Sequence, residues 1–424
     1  MFDTDIVVVG AGVAGIAAAT ALRAARIGCV VLEAGGRVGG RARTGMLAGA
    51  AFDHGAAWLH HGQTNPLTAL ARKAGREIVD FTATRCERLR VGDHWAGSAE
   101  LQEVERCEAR LMRVLSDRAG REPDLSLAEA AAKLASDRWV ASLLMWEGAI
   151  IAAADADRLS LRDWQANLLS GHNLCLRDGI GDFVVAGLAP AAGEIRLGHA
   201  VRRISRTGGA VVVAGDWGSL RARAVIVTVS TGVLASGAIR FEPELPVATG
   251  EAIAHLPMGL LSKVGLAAGG GERGRLGLPN SCSVWRRRDA GDPALVLLAW
   301  PLGRPHVCGH FGGRTAWEHT DPRAAEALVR AELADLFGAD AAARLDGPVV
   351  ATNWGTDPLF RGAYAYAEPG WSGARAQLAA PIDGGRLMFA GEACHDTLAG
   401  TVGGAWESGL AAAGQVAALI TQPA

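Results

Sequence analysis

The run Gly10-Ala-Gly12-Val-Ala-Gly15 follows directly on the apolar stretch Ile6-Val-Val-Val9 and opens an alanine-rich segment that reads as a helix to Ala25. Between a strand and a helix, the first glycine makes the tight turn and the second lets the backbone approach a pyrophosphate. The third lets helix and sheet pack closely, and the helix start at Val13 and Ala14 then faces the phosphates. G-x-G-x-x-G alone is a weak signal, and a chance glycine-rich turn is its bland alternative. Here a second apolar strand, Cys29-Val-Val-Leu, ends on Glu33, whose carboxylate is placed to accept hydrogen bonds from ribose hydroxyls. An acidic group there disfavours a 2′-phosphate, which leaves NAD or FAD as the dinucleotide and makes NADP the wrong fit.

A chain of 424 residues is longer than one ordinary core supports and suits two interleaved domains. A formal charge of −2, with no basic stripe, argues against nucleic acid as a partner. The seven cysteines are odd in number and scattered, with no C-x-x-C pair, so they read as reduced thiols in a cytoplasmic enzyme. Asp3 and Asp5 precede the first apolar run, which argues against an export signal. The Ala/Gly-rich stretch 403–420 carries Glu407 and Gln415 and is too polar to span a bilayer.

Basic residues total 42, but the lysines are only Lys73, Lys133 and Lys263. The first two lie on amphipathic helical patterns and read as solvated amines. Lys263 lies in the apolar run Met258-Gly-Leu-Leu-Ser-Lys-Val-Gly-Leu, where an ammonium costs free energy unless it is partnered or its stem lets the head reach solvent.

Along the chain, residues 67–164 read as mainly helical, with amphipathic stretches at 100–115 and 126–134. From residue 194 the pattern turns to strands: Val201-Arg-Arg-Ile-Ser, Ala210-Val-Val-Val-Ala and Ala224-Val-Ile-Val-Thr-Val. Further strands are expected at 260–266 and 295–302, a helix at 324–337, and a closing strand and helix from Arg386. The expected fold is a two-domain α/β dinucleotide-binding protein. A Rossmann-like cofactor domain is assembled from residues 1–75, 194–252 and 376–424, and a mixed sheet-plus-helix substrate domain from 76–193 and 253–375.

Several stretches in order resemble the flavin-dependent amine oxidase superfamily. Glu33-Ala34-Gly-Gly-Arg37-Val-Gly39-Gly40-Arg41 is similar to its E-A-x-x-R-x-G-G-R signature, where the glycines and second arginine contact the FAD diphosphate. Gly55-Ala56-Ala57-Trp58-Leu-His60 resembles the segment beside the flavin ring, and Met258 to Lys263 the segment that delivers the active-site lysine. Trp354-Gly-Thr-Asp-Pro with Gly362-Ala-Tyr364 resembles the W-x-x-D-P…G-[SA]-Y stretch. Gly391-Glu392 with Gly400-Thr401-Val402 and Ala405 resembles the C-terminal flavin motif, and Val201 joins the expected cofactor contacts. The likeness covers nearly the whole chain, and Trp58, His60 and Lys263 point to its polyamine oxidase and lysine-specific demethylase side, nearest the polyamine oxidase branch.

The resemblance implies an enzyme that oxidises a C–N bond of an amine, with hydride passing to flavin N5 and O2 reduced to H2O2. Lys263, His60 and Tyr364 are the expected catalytic residues. The family's covalent attachment uses a cysteine before the tyrosine matching Tyr364; Ala363 stands there, which implies noncovalent FAD. Leu398-Ala399 replaces an aromatic that many members place before the position of Gly400, so an aromatic wall depends on Tyr364 or Tyr366, which otherwise pack in the core. His60 lines the substrate entrance or packs by an ordinary hydrogen bond. His306-Val-Cys308-Gly-His310 puts three ligand types on one strand face without a recognisable fourth, so no metal is expected. Two other readings stay open: a related oxidase or desaturase acting on an alkaloid, amino-acid derivative or isoprenoid, and a flavin-binding scaffold acting through a protein partner. The sequence specifies no oligomeric state.

Overall fold

The computed structural model describes residues 1–268 and 276–421. Residues 269–275 and 422–424 belong to stretches expected in the substrate and cofactor regions respectively, and lie outside the described residues.

The first strand, Ile6–Val9, is apolar at every position because it is buried on both faces of a parallel sheet. Its neighbours are Cys29–Leu32 on one side and Ala224–Val227 on the other, with Ile195–Arg196 and Leu387–Phe389 at the two edges, every pairing parallel. The sheet thus gathers strands from the beginning, middle and end of the chain. Helix Val13–Ala24 and the closing helix Val402–Thr421 pack together beside one face. Their approach is close because a side chain at Gly409 would put its Cβ 2.2 Å from the Ala14 carbonyl oxygen.

A seven-stranded sheet forms the second body, in the order Val349–Ala351, Leu261–Ala267, His306–Gly312, Leu295–Ala299, Cys282–Arg286, Cys86–Val91, His94–Trp95. Helix Pro322–Phe337 covers one face through Val329 and Leu333, and Gly309 makes room for Val329. Asp321 starts this helix by accepting hydrogen bonds from the amides of Arg323 and Ala324.

The region 67–164 is less helical than its sequence reads. Helix Ser98–Ala119 contains the expected stretch 100–115, but Ile78–Asp80, Cys86–Val91 and His94–Trp95 are strands. In Cys86-Glu-Arg-Leu-Arg-Val only Leu89 and Val91 are fully buried, so its charged positions hide the strand. The strand anticipated from Val201 runs instead over Arg203–Thr207, and that anticipated over 295–302 ends at Ala299, where Trp300 and Leu302 take left-handed backbone.

Candidate active site

One cavity of about 700 Å³ runs from the first turn of the parallel sheet to the face of the seven-stranded sheet. At the first end, Gly10 has φ +104° and Gly40 φ +58°, conformations that favour glycine. A Cβ on Gly40 would come within 3.1 Å of the Gly12 Cα, so two bare backbones meet at the cavity wall, and Gly12 and Gly39 form a parallel bridge. Val13 and Ala14 start one helix here, and Thr401, Val402 and Ala405 start another. Two helix N-termini therefore open on the same space, a setting suited to a pyrophosphate. Glu33 and Ala34 line the wall beside them, as does Val201. The Glu33 carboxylate accepts from the Ala11 amide at 2.8 Å and the Gly35 amide at 2.7 Å, which fixes it at the strand end.

Two expected contacts stand back from the cavity lining. A Cβ at Gly15 would lie 1.9 Å from the Gly10 carbonyl oxygen, so this glycine serves helix–strand packing. Arg37 is held over the Phe360 ring at 5.8 Å, and Phe360 rather than Arg37 faces the cavity. Arg41 does line it; its guanidinium donates to Glu392 at 2.9 Å and to the Ala363 carbonyl at 2.7 Å. Glu392, buried, also accepts from the amides of Ala365 and Gly400 at 3.1 Å each, so one carboxylate ties three lining segments together.

At the other end Lys263 projects from the Leu261–Ala267 strand and is 5% exposed. Its Nζ donates to the carbonyls of Asp53 and Gly55 and lies 5.5 Å from the Trp58 ring centre. Burial pushes its pKa below the ordinary lysine value, against the pull of neighbours that include the Asp53 carboxylate. Gly55 is obligatory, since a Cβ there would stand 1.8 Å from the Arg41 carbonyl oxygen. Ala56, Ala57 and Trp58 continue this wall, and Trp354 closes it by donating its indole N–H to the His54 carbonyl at 3.1 Å. His310, opposite Lys263 on the adjacent strand, is pushed to about 3 by burial and by Lys263, so it stays neutral.

His60 lines the cavity with Nδ1 2.8 Å from the Asn173 side-chain oxygen, and burial lowers its pKa. Tyr364 lines it too, its ring against Gly400, where a Cβ would lie 3.1 Å away. Its hydroxyl donates to the Ile151 carbonyl at 2.8 Å, and burial raises its pKa. A single cavity thus collects the expected residues apart from Gly15 and Arg37.

The structure adds a carboxylate with no counterpart among the expected residues. Glu147 lies in the wide-turned helix Trp146–Ala152 and lines the cavity beside Trp146, Ile150, Ile151 and Trp164. The Trp164 indole N–H donates to it at 3.2 Å, yet burial pushes its pKa up to about 7. The signal that singled out Lys263, a charge inside an apolar run, was present in Leu143-Leu-Met-Trp-Glu147-Gly-Ala-Ile-Ile. Asp163 and Arg375 were likewise missed. They form a buried bidentate pair at 2.6 and 2.8 Å, and the same arginine donates to the Ala365 carbonyl at 3.1 Å.

The family model for flavin-containing amine oxidoreductases matches residues 13–417, and the chain belongs to this family. It is therefore a flavin oxidoreductase of the class that acts on amines. It is 30% identical over 454 residues to polyamine oxidase 4 of Oryza sativa subsp. japonica, covering 96% of this chain and 88% of that protein. It is also 30% identical to lysine-specific histone demethylase 1 homolog 2 of Arabidopsis thaliana, over 98% of this chain and 58% of the relative. Cyclohexylamine oxidase from Brevibacterium oxydans IH-35A shares the fold at a TM-score of 0.77 and 23% identity, covering 99% of this chain and 100% of that one. No helix among the described residues is long and apolar enough to cross a membrane.

Proposed function

We propose that the protein is a noncovalent FAD enzyme that oxidises a C–N bond of a polyamine-like amine to an imine and reduces O2 to H2O2. The observation that carries this reading is the continuity of one cavity from two helix N-termini to a buried lysine. The glycine-walled end fits a dinucleotide, with Gly10, Gly12, Gly39, Gly40 and Arg41 at the diphosphate and Glu33 at the ribose. Bound there, FAD supplies a hydride acceptor at N5 and returns the electrons to oxygen.

The chain's own part is binding, orientation and proton control. Lys263, fixed by two carbonyls, would hold a water beside the bound flavin and stabilise negative charge developing on oxygen. Trp58 and Tyr364 flank the amine and exclude bulk water. His60 borders the entrance as a neutral group. Glu147 pairs with an ammonium further along the substrate, which favours amines carrying more than one nitrogen. Ala363 offers no thiol for a covalent flavin bond.

In the same proposal, residues 1–75, 194–252 and 376–424 form the FAD-binding domain, the stretches that supply the five parallel strands. Residues 76–193 and 253–375 supply the seven-stranded sheet and, together with Trp58 and His60 from the first stretch, the substrate wall. The seven free cysteines suit a reducing cytoplasm. A peroxide assay over monoamines, diamines and polyamines tests the activity: peroxide with diamines or polyamines supports it, and peroxide with none of the amines contradicts it.

A further inference from the structure

Cys86 and Cys282 stand directly opposite each other on neighbouring parallel strands, although 196 positions separate them in sequence. Their sulfurs are 3.0 Å apart. Adjacent strands lie about 4.7–4.9 Å apart, within the span that a disulfide bridges without backbone movement. Both strands stand beside the cavity: Arg85, just before the first strand, and Ser283, on the second, line it. The two thiols turn the other way, into the apolar layer that holds Val284 and Ala299. Cys282 is fully buried, whereas Cys86 is partly exposed and reachable from solvent.

We propose that Cys86 and Cys282 are a peroxide-responsive dithiol that closes into a disulfide behind the substrate wall. The proposed function enters only as the source of the oxidant, hydrogen peroxide formed in the cavity. The Cys86 thiolate attacks one peroxide oxygen, the O–O bond breaks, and hydroxide leaves to be protonated as water, giving a sulfenic acid. The Cys282 sulfur then displaces the sulfenic hydroxyl, which departs with the Cys282 proton as a second water. Two thiols are oxidised by two electrons and one peroxide is reduced to two waters. The order of attack follows from access, and burial pushes the Cys282 thiol up to about 12, which keeps it protonated until its neighbour is activated. In a reducing compartment such a bond is transient and opens again with thiols. While closed, it ties the Cys86–Val91 strand to the Cys282–Arg286 strand and braces Arg85, which lies over the Trp146 ring at 5.4 Å.

The test uses the purified FAD-loaded protein and added hydrogen peroxide, so it does not depend on any amine being turned over. After alkylation of remaining thiols and digestion, mass spectrometry is expected to show a Cys86–Cys282 linked peptide, abolished by dithiothreitol. The melting midpoint should rise on oxidation and fall back on reduction. In Cys282→Ser, dimedone is expected to label Cys86 with no link formed. Both cysteines remaining alkylatable, or Cys86 advancing to a sulfinic acid while Cys282 stays a free thiol, would overturn the proposal. Failure of the amine screen with success here would remove the oxidant's source but not the dithiol.

Discussion

The Nζ of Lys263 reaches across from the seven-stranded sheet to the Asp53 carbonyl at 3.0 Å and the Gly55 carbonyl at 2.5 Å, beside the loop that forms the cavity wall. Those carbonyls hold the amine in one place without neutralising it, as a water-positioning group requires. Lys263→Met is expected to fold and to retain FAD, because the substitution removes a buried charge and keeps the stem's volume. Its turnover should fall roughly 10²-fold or more. Stopped-flow traces of flavin reduction and reoxidation check this; both half-reactions at wild-type rates would return Lys263 to a structural role.

Glu33 offers a second, independent test. Its replacement by Ala removes a charge-assisted acceptor worth about 1.5–3 kcal/mol, an expected loss of about tenfold to 100-fold in FAD affinity. The amides of Ala11 and Gly35 lose their acceptor at the same time. Fluorescence titration of the apoprotein with FAD measures the change; an unaltered Kd would remove Glu33 from the ribose. Acid precipitation of the wild type should leave the yellow colour in the supernatant, and colour in the pellet would contradict noncovalent binding.

Glu147 makes the account pH-dependent. With its carboxyl pushed to about 7, kcat/KM for a diamine should fall as pH drops below that value, since only the carboxylate pairs with an ammonium. Glu147→Gln should flatten that limb and raise KM. The stability effect has the opposite sense. A folded pKa above the usual 4.5 favours the folded state at low pH, and that contribution is lost as pH rises through about 7. Relative to wild type, Glu147→Gln should therefore melt higher at about pH 8 than at about pH 5. An acidic limb unchanged in the variant would show that another group controls it.

Asp163 and Arg375 bind each other through two hydrogen bonds in full burial, joining helix Leu161–Ala166 to the Tyr364–Ala365 strand. Asp163→Ala strands the guanidinium and should cost about 3–5 kcal/mol. Denaturant midpoints at matched m-values check this, and a loss within experimental error would show that water or another acceptor replaces the carboxylate.

The sequence makes the dinucleotide end legible because backbone demands choose residues strictly there. Gly10 and Gly40 stand where φ is positive, and a Cβ on Gly40 would press on the Gly12 backbone. Lys263 is legible for another reason, a rare lysine in an apolar run. Glu147 has the same kind of context, but no spacing marks a lone acid on a wide-turned helix, and only the fold aims it into the cavity. The strand Cys86–Val91 escapes notice because its charges face outward, and with it the pairing of Cys86 with Cys282, which depends on register between distant segments. Gly15 and Arg37 stand back from the lining, the first close to the Gly10 carbonyl and the second over the Phe360 ring.

In the proposed reaction one cavity brings an amine to a noncovalently held flavin. The most direct measurement is anaerobic mixing of the purified yellow protein with a panel of monoamines, diamines and polyamines while the visible flavin band is followed. A diamine or polyamine is expected to bleach the band within one turnover, and admitting oxygen to restore it with one equivalent of hydrogen peroxide. A band that no amine bleaches, in protein shown to hold FAD, would contradict it.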